Sequence, residues 1–237
     1  MVEILFVHGA LVRDGAWWWH LVADLVQQRT GVGSRAVALP SCGEAGTADG
    51  GLVEDAAALR AALDDGDGAL VVGHSYGGTV IAEGADHPAA RHLLLISSYL
   101  PEVGRSQSAI MGSEADPVAI EDRGDGTLGV AGYDATSFGA RFWDDVQDPG
   151  VRAAAWQRLT AQSVGAFTTP TTRAAWRDRP TTALVCTADR STSVALQRSH
   201  AARADRSVDL PTGHHPFLSR PDLVAAEVER ILRDLQP

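Results

Sequence analysis

The sequence predicts an α/β fold in which a mainly parallel sheet is flanked by helices. Short apolar runs alternate with longer amphipathic stretches, a pattern typical of parallel strands joined by helices. The 237 residues, of which 45% are apolar, can bury one full core. Because the alternation stops between residues 101 and 178, we predict a core built from residues 1–100 and 179–237 and a lid inserted over residues 101–178.

The individual elements follow from the same pattern. The predicted strands are the apolar runs at residues 4–7, 36–39, 69–72, 93–96, 183–186 and 207–210. The predicted helices cover residues 16–28, 52–63, 77–84, 193–204 and 221–235. Pro221 supports the start of the last helix, because its fixed φ suits a first turn and its missing N–H would be unpaired there anyway.

Charge and cysteine content restrict the function. The chain has 30 acidic and 20 basic residues, a formal net charge of −10, and no Lys. Such a surface repels phosphate backbones and anionic lipids, so no nucleic-acid or membrane partner is expected. The start of the chain does not resemble a secretory signal, and Cys42 and Cys186 are compatible with a reducing compartment. We therefore predict a cytoplasmic protein that uses no metal or other cofactor.

The most specific motif surrounds Ser75. It reads Gly73-His74-Ser75-Tyr76-Gly77-Gly78 and lies between a predicted strand and a predicted helix. In such a strand-to-helix elbow, flanking glycines allow a tight backbone and the serine hydroxyl projects from the carboxyl edge of the sheet. The N-terminus of the following helix favours negative charge at this place. The motif predicts that Ser75 is a nucleophile.

A serine nucleophile needs a histidine base, and the pair His214-His215 offers two neighbouring candidates. Both follow the last predicted strand and precede the last helix, which suits a base that comes last in chain order. We favour His214 because it follows Gly213, whereas His215 precedes Pro216 and has a restricted, extended backbone.

The base in turn needs a carboxylate located between the elbow and His214 in the chain. Asp189 fits because it follows the strand that ends at Cys186 and so lies at the carboxyl edge. Asp205 precedes the next strand and is expected at the opposite edge. Three further aspartates fall in the insertion and are expected to be solvated: Asp144, Asp145 and Asp148.

Two N–H donors are expected to bind the oxyanion of a tetrahedral intermediate. One is the backbone N–H of Tyr76, directly after the nucleophile, and the other comes from a loop after an earlier strand. The loop at Phe6-Val7-His8-Gly9-Ala10 can curl towards the elbow at its glycine. We assign the second donor to Ala10, with Leu11 as the alternative.

The insertion is unusually aromatic for a surface loop. Its aromatic residues are Tyr133, Phe138, Phe142, Trp143, Trp156, Phe167 and Trp176. Most of them are expected to form a small core within the lid, while others line a substrate pocket. The residues that we predict to contact substrate are Leu11, Trp143 and Phe167.

These motifs resemble those of the small α/β-hydrolases that include plant methyl-ester esterases, hydroxynitrile lyases and bacterial pyrethroid-type carboxylesterases. The matching stretches are Phe6-Val7-His8-Gly9-Ala10, Gly15-Ala16-Trp17, Gly73-His74-Ser75-Tyr76-Gly77-Gly78, Thr187-Ala188-Asp189-Arg190 and Gly213-His214-His215-Pro216-Phe217-Leu218-Ser219-Arg220-Pro221. The resemblance implies an α/β-hydrolase fold, the same triad, a helical lid and a preference for esters with an apolar part. The lid itself departs from the family, which leaves the substrate open.

The prediction is a serine hydrolase that cleaves a small apolar carboxylic ester, lactone or thioester through an acyl-enzyme. One alternative is a carbon–carbon lyase, although the hydroxynitrile lyases of this family use a pocket lysine and this chain has none. Epoxide and haloalkane hydrolases need an aspartate where Ser75 stands. Another alternative is a binding protein that keeps the triad but turns over slowly. The sequence makes no prediction of oligomeric state.

Overall fold

The computed structural model describes residues 2–44 and 50–235. In this part of the chain the strands are β1 (Glu3–Val7), β2 (Ser34–Ala36), β3 (Ala69–His74), β4 (Ala90–Ile96), β5 (Ile120–Asp122), β6 (Thr127–Val130), β7 (Gln162–Ser163), β8 (Thr181–Cys186) and β9 (Arg206–Leu210). The helices are α1 (Gly15–Thr30), α2 (Leu52–Asp64), α3 (Gly77–Gly84), α4 (Gln107–Met111), α5 (Ala135–Phe142), α6 (Pro149–Trp156), α7 (Val164–Thr168), α8 (Val194–Ala201), α9 (Pro216–Ser219) and α10 (Pro221–Leu235). Short 3₁₀ helices cover Pro40–Cys42 and Ala175–Arg177.

The main sheet has six strands in the order β2-β1-β3-β4-β8-β9, and every neighbouring pair is parallel. The predicted α/β fold is therefore confirmed. The strand order reverses direction at β1, because the chain first adds β2 on one side and then β3 on the other. In open parallel sheets, ligands bind beyond the carboxyl ends of the strands at such a switch point.

Each predicted strand and helix is present. The prediction for β2 differs most from the structure relative to the length of the element. The sequence predicted a strand at residues 36–39, whereas β2 covers Ser34–Ala36 and pairs with Ile4–Phe6 of β1. As an edge strand β2 is not fully buried on either face, so its residues do not form an apolar run. The apolar run therefore predicts this strand too late in the chain.

Side chains alternate between the two faces of the sheet and supply two large hydrophobic clusters. Ile4 and Phe6 of β1 pack with residues of α1 and α10, whereas Leu5 and Val7 pack with residues of α2 and α3. The ring of Trp19 in α1 stacks on Phe6 with 4.6 Å between ring centroids. Burial on both faces explains why the central strands read as continuous apolar runs.

The insertion (residues 101–178) contains α4 to α7 and a three-stranded antiparallel sheet, β5-β6-β7, which the sequence did not predict. Its aromatic residues do not form a separate core. Phe138, Phe142 and Trp143 join the cluster of Phe6, and Phe167 joins the cluster on the opposite face. The expectation of a lid with its own core is therefore wrong, because these rings are continuous with the main core.

Within the described residues, none of the helices has both the length and the apolar character that a membrane span requires. The predicted cytoplasmic location stays a prediction.

Candidate active site

Ser75 lies in a sharp turn between β3 and α3, as the motif predicts. Its φ is +49°, a left-handed conformation that costs a residue with a Cβ about 1–2 kcal/mol. The hydroxyl of Ser98 donates to the carbonyl of Ser75 at 2.6 Å and holds the turn. A Cβ on Gly77 would lie 2.5 Å from the carbonyl oxygen of Val7, so only glycine allows the elbow to approach β1 this closely.

His214 lies in the loop between β9 and α9, and its side chain is 4% exposed. Its Nδ1 donates to Oδ2 of Asp189 at 2.7 Å. Its carbonyl oxygen accepts a hydrogen bond of 2.9 Å from Nε2 of His74, which fixes the loop. With the proton on Nδ1, Nε2 is left to act as a base, and His214 lines the same pocket as Ser75.

His215 has different contacts from its neighbour. Its Nδ1 donates to the carbonyl oxygen of Phe142 at 2.9 Å, and its ring packs 5.2 Å from that of Trp18. Burial, helped by the nearby His214, lowers the pKa of His215 to about 3, so the ring stays neutral at neutral pH. Of the two neighbours, His214 is the one that is hydrogen-bonded to the acid.

Asp189 follows β8, and its side chain has no exposed surface. Its Oδ1 accepts from the backbone N–H groups of Ser191 at 2.7 Å and Thr192 at 3.0 Å. Its Oδ2 accepts from Nε2 of Gln197 at 2.9 Å. Burial alone would raise the pKa of Asp189, but the charge and hydrogen bond of His214 outweigh it and hold the pKa below its usual value. The acid is therefore ionised and fixed in direction.

Ser97 is a site residue that the sequence analysis missed. Its hydroxyl donates to Oδ2 of Asp189 and lies 3.0 Å from Nδ1 of His214. Ser97 directly follows β4 and has a φ of +43°. Its position at the carboxyl end of a strand next to the elbow strand was the signal that could have identified it.

The rival carboxylates lie elsewhere. Asp205 accepts from the N–H of Thr181 at 2.8 Å, at the start of β8, and so lies at the opposite edge of the sheet. Asp145 is not simply solvated as expected. Its Oδ2 accepts from the N–H of Gly213 at 2.7 Å, directly before His214 in the chain.

The other two aspartates of the insertion are partly or mainly exposed. Asp148 is exposed and caps α6 by accepting from the N–H of Gly150 at 2.7 Å. Asp144 is half-buried and forms an ion pair of 3.3 Å with Arg190.

We expect Asp189→Asn to lower kcat for activated esters by roughly 10³ to 10⁴, since the amide holds the wrong tautomer of the histidine. Asp205→Asn is the matched control, because an amide oxygen can still accept from Thr181. Steady-state kinetics and thermal unfolding of both variants check the prediction. A strong loss in Asp205→Asn with none in Asp189→Asn would contradict the assignment of the acid.

Ala10 and Tyr76, the predicted oxyanion donors, both lie near Ser75. Tyr76 follows the nucleophile, and Ala10 lines the pocket together with Ser75. His8 Nδ1 donates to the carbonyl oxygen of Gly9 at 2.8 Å. Because the peptide unit is planar and trans, this contact directs the N–H of Ala10 away from His8. The contact of His8 with Gly9 therefore fixes the direction of the Ala10 N–H, as an oxyanion donor requires.

His8 is itself held by Glu44. Its Nε2 donates to Oε2 of Glu44 at 2.8 Å, so both ring nitrogens donate. Burial by itself lowers the pKa of His8, but the hydrogen bond and charge of Glu44 raise it above its ordinary value. Burial likewise works against the ionised Glu44, yet contacts with His8, Gly15 and Leu39 lower its pKa to about 2. The charged pair fixes the loop after β1.

Leu11, the alternative donor, already has an acceptor for its N–H. That group donates to Oε1 of Gln162 at 2.8 Å. Leu11 has a φ of +60°, and its side chain contributes to the pocket wall. These contacts favour Ala10 over Leu11 as the second oxyanion donor.

A largely apolar pocket surrounds Ser75 and His214. Leu11, Trp143 and Phe167, the predicted substrate contacts, all line it. The cavity volume is about 70 Å³, whereas a single water needs about 10–15 Å³. The space therefore suits a small organic group. Besides Ser75 and the histidines at positions 74, 214 and 215, the polar side chains on its wall are Tyr99, Gln107, Glu114, Ser191 and Thr192.

Tyr99 is another pocket residue that the sequence analysis missed, although it follows β4 by three positions. Its hydroxyl lies 3.0 Å from Oγ1 of Thr192. Burial raises the pKa of Tyr99 to about 12, although hydrogen bonds with Thr192 and Ser75 act in the opposite direction. The hydroxyl therefore stays protonated at neutral pH.

Three buried histidines have ring nitrogens close enough together to be considered as metal ligands. They are His74, His214 and His215, whose potential ligand atoms lie within 4.8 Å of one another. One nitrogen of each ring already has a hydrogen-bond partner. His74 donates to the carbonyl oxygen of His214, the ring of His214 donates to Asp189, and His215 donates to the carbonyl oxygen of Phe142. This pattern suits an acid–base site, and the absence of a metal cofactor stays a prediction.

Known proteins resemble this chain in sequence and in fold. A family model described as the alpha/beta hydrolase family matches residues 4–227. The alpha/beta hydrolase nvfD of Aspergillus novofumigatus is 29% identical over 188 residues, which cover 72% of this chain and 74% of that protein. A probable hydrolase, R7, of a Phoma species is 26% identical over 193 residues, with coverages of 72% and 74%.

Solved structures agree with this match. A pyrethroid hydrolase from Sphingobium faniae has a TM-score of 0.81 at 22% identity, with 97% of both chains covered. Polyneuridine aldehyde esterase has a TM-score of 0.79 at 16% identity, with 98% of this chain and 99% of that chain covered. At these identities the likeness shows the fold. The predicted fold class and the coarse prediction of a hydrolase are confirmed, and the chain belongs to the alpha/beta hydrolase family.

Proposed function

We propose that the protein is a serine esterase that cleaves a carboxylic ester of a small, largely apolar molecule through an acyl-enzyme. The observation that carries the proposal is that Ser75 and His214 line one pocket while Asp189 holds His214 by a hydrogen bond. Ser75 has the strained backbone of a nucleophile elbow, and His214 donates to Asp189 at 2.7 Å. Two relatives in fold are named a pyrethroid hydrolase and an esterase, which is consistent with ester cleavage.

The geometry supports a two-step reaction. Oγ of Ser75 attacks the ester carbonyl carbon while Nε2 of His214 takes the hydroxyl proton. The carbonyl oxygen becomes an oxyanion that accepts hydrogen bonds from the N–H groups of Tyr76 and Ala10. The intermediate then expels the alcohol, which receives the proton from His214. Water attacks the acyl-enzyme with the same base, releasing the acid and restoring Ser75.

Asp189 supports both steps by holding Nδ1–H of His214 and stabilising the imidazolium that forms. A lactone or a thioester would pass through the same sequence of intermediates. The insertion is proposed to act as a lid, because Phe138, Trp143 and Phe167 line the pocket opposite residues of the core. Glu114 also lines the pocket, and its carboxylate disfavours anionic substrates.

Labelling with a fluorophosphonate, together with turnover of p-nitrophenyl acetate and butyrate, tests the proposal. We expect fast turnover, loss of activity upon labelling, and a phosphonyl adduct on the peptide that contains Ser75. Labelling of Ser75 without turnover would favour the slow binding protein instead. Turnover without an adduct at Ser75 would contradict a serine mechanism.

The pocket predicts a preference for bulky apolar acyl groups. Burying a phenyl-sized group gains about 25 cal/mol per Å², so phenylacetate esters should exceed acetates in kcat/KM by roughly ten- to a hundredfold. Trp143→Ala and Phe167→Ala should reduce this ratio, because both rings line the pocket. Kinetics with acetate, butyrate and phenylacetate esters of one alcohol measure it.

Trp176→Ala is the matched control for the substrate series. Trp176 also belongs to the insertion, but its Nε1 donates to the carbonyl of Pro101 at 2.8 Å and its side chain is not part of the pocket wall. The control should keep the wild-type ratio. A flat series that neither pocket variant changes would mean that these aromatic residues only pack the insertion.

A further inference from the structure

A continuous chain of buried hydrogen bonds joins the two sides of the proposed oxyanion hole. Oδ2 of Asp55 accepts from the hydroxyl of Tyr76 at 2.7 Å and from that of Ser41 at 2.6 Å. Oγ of Ser41 accepts from Nε2 of Gln162 at 2.9 Å. Oε1 of Gln162 accepts from the N–H of Leu11 at 2.8 Å. We refer to these five residues as the Asp55 network.

The network is buried and excludes solvent. Ser41, Asp55, Tyr76 and Gln162 have no exposed surface, and Leu11 is 5% exposed. Oδ1 of Asp55 also accepts from the N–H of Ser41 at 3.0 Å, so both carboxylate oxygens are engaged. Small displacements within such a network break hydrogen bonds that water cannot replace.

The Asp55 carboxylate is buried in a place that disfavours its charge. Burial raises the pKa of Asp55, although the hydrogen bonds of Ser41 and Tyr76 oppose this effect. A carboxyl group whose pKa is raised by folding stabilises the protein at low pH, and this contribution is lost as the pH rises through the pKa of the folded state. Ionised Asp55 is therefore unfavourable at higher pH.

Each end of the network holds a residue beside an oxyanion donor. At one end, the Tyr76 ring is fixed by its hydroxyl contact with Asp55 and by stacking near Phe167, at 6.4 Å between centroids. The backbone N–H of Tyr76, which directly follows Ser75 in the chain, is the proposed oxyanion donor. At the other end, Leu11 is held in a left-handed conformation directly after Ala10, and its carbonyl also accepts from Thr160 at 2.9 Å.

We propose that Asp55 is a positioning residue for the oxyanion hole. Asp55 sets the separation of the Tyr76 and Ala10 N–H groups by its contact with Tyr76 on one side and through Ser41 and Gln162 on the other. The inference rests on the proposed esterase function. Because Gln162 belongs to the insertion, the insertion contributes to transition-state binding as well as to the pocket wall. Donors must lie about 2.7–3.1 Å from the oxyanion, so a small loss of alignment lowers kcat.

Tyr76→Phe, Asp55→Asn and Gln162→Leu test the proposal at three points of the network. We expect kcat for p-nitrophenyl butyrate to fall roughly ten- to a hundredfold in each, with KM within about twofold, since the contacts act in the transition state. An aryl trifluoromethyl ketone, whose carbonyl adds Ser75 Oγ to give a bound oxyanion, should lose affinity by a similar factor. Thermal unfolding identifies any variant that fails to fold, and Tyr76→Phe changes least.

Glu83→Gln is the matched control. Glu83 is also a buried carboxylate of the core that accepts hydrogen bonds from the insertion, at 2.6 Å from the N–H and 2.6 Å from the hydroxyl of Thr172. It does not contact the oxyanion residues, so kcat and ketone affinity should stay near wild type.

The possible results separate the two proposals. If the wild type hydrolyses esters but the folded network variants keep wild-type kcat and ketone affinity, the positioning role is overturned while the esterase function stands. An equal loss of kcat in Glu83→Gln and in the network variants would also overturn the positioning role. The loss would then follow from breaking any buried contact with the insertion. Absence of ester turnover in the wild type would overturn both.

Discussion

Ser75→Ala should lower kcat for p-nitrophenyl butyrate by on the order of 10⁴ to 10⁶, with the fold intact. The reason is chemical, because no acyl-enzyme can form without the hydroxyl and the remaining oxyanion donors supply only a residual rate. Alanine keeps a Cβ, so the left-handed backbone of the elbow, with φ of +49°, is equally strained in both proteins. Stopped-flow and steady-state kinetics, together with loss of phosphonate labelling, measure the effect.

Ser219→Ala is the control for this substitution. Its hydroxyl is buried and has no hydrogen-bond partner among the described residues, so its removal should leave both activity and stability near wild type. A Ser75→Ala protein that keeps more than about a tenth of the wild-type kcat would end the assignment of the nucleophile.

His214→Ala should be nearly as damaging as the serine substitution, whereas His215→Ala should cost at most about tenfold in kcat. The contrast follows from the contacts. Both histidines line the pocket, but His214 donates to Asp189, while His215 donates to the carbonyl of Phe142 and packs among aromatic rings. Kinetics of the two variants, with thermal unfolding to account for the cavity left by His215, decide between the neighbours.

The pH dependence gives a second readout of the same prediction. Because the pKa of His215 is lowered to about 3, its ring is neutral throughout the neutral range and cannot produce an acid limb there. His215→Ala should therefore keep the shape of the kcat/KM profile. If His215→Ala instead abolishes activity and His214→Ala leaves most of it, the two residues exchange roles.

Local sequence was sufficient to predict the elbow and the order of the triad. The motif around Ser75 combines an apolar strand, small residues and a helix start within a few positions, so each part constrains the next. Asp189 could be separated from Asp205 because one follows a strand and the other precedes one, and all strands of the main sheet run in one direction. The broad fold followed from the same alternation of runs.

The supporting contacts could not be predicted in this way. Ser97 bonds to Asp189 across 92 positions of the chain, and Leu11 bonds to Gln162 across 151. Gly213 and Asp145 meet across 68 positions. Such pairs leave no periodicity in the sequence, because each depends on where two separate loops come to lie.

The sequence by itself therefore determined the α/β architecture and the residues Ser75, His214 and Asp189 as candidates for the chemistry. Only the tertiary structure decided which N–H groups near the nucleophile remain available, since Leu11 donates to Gln162 of the insertion. It also decided that the insertion packs against the main core instead of forming its own. The physical reason is that strand and helix patterns arise from neighbouring residues, whereas the orientation of a buried polar group depends on partners brought together by folding.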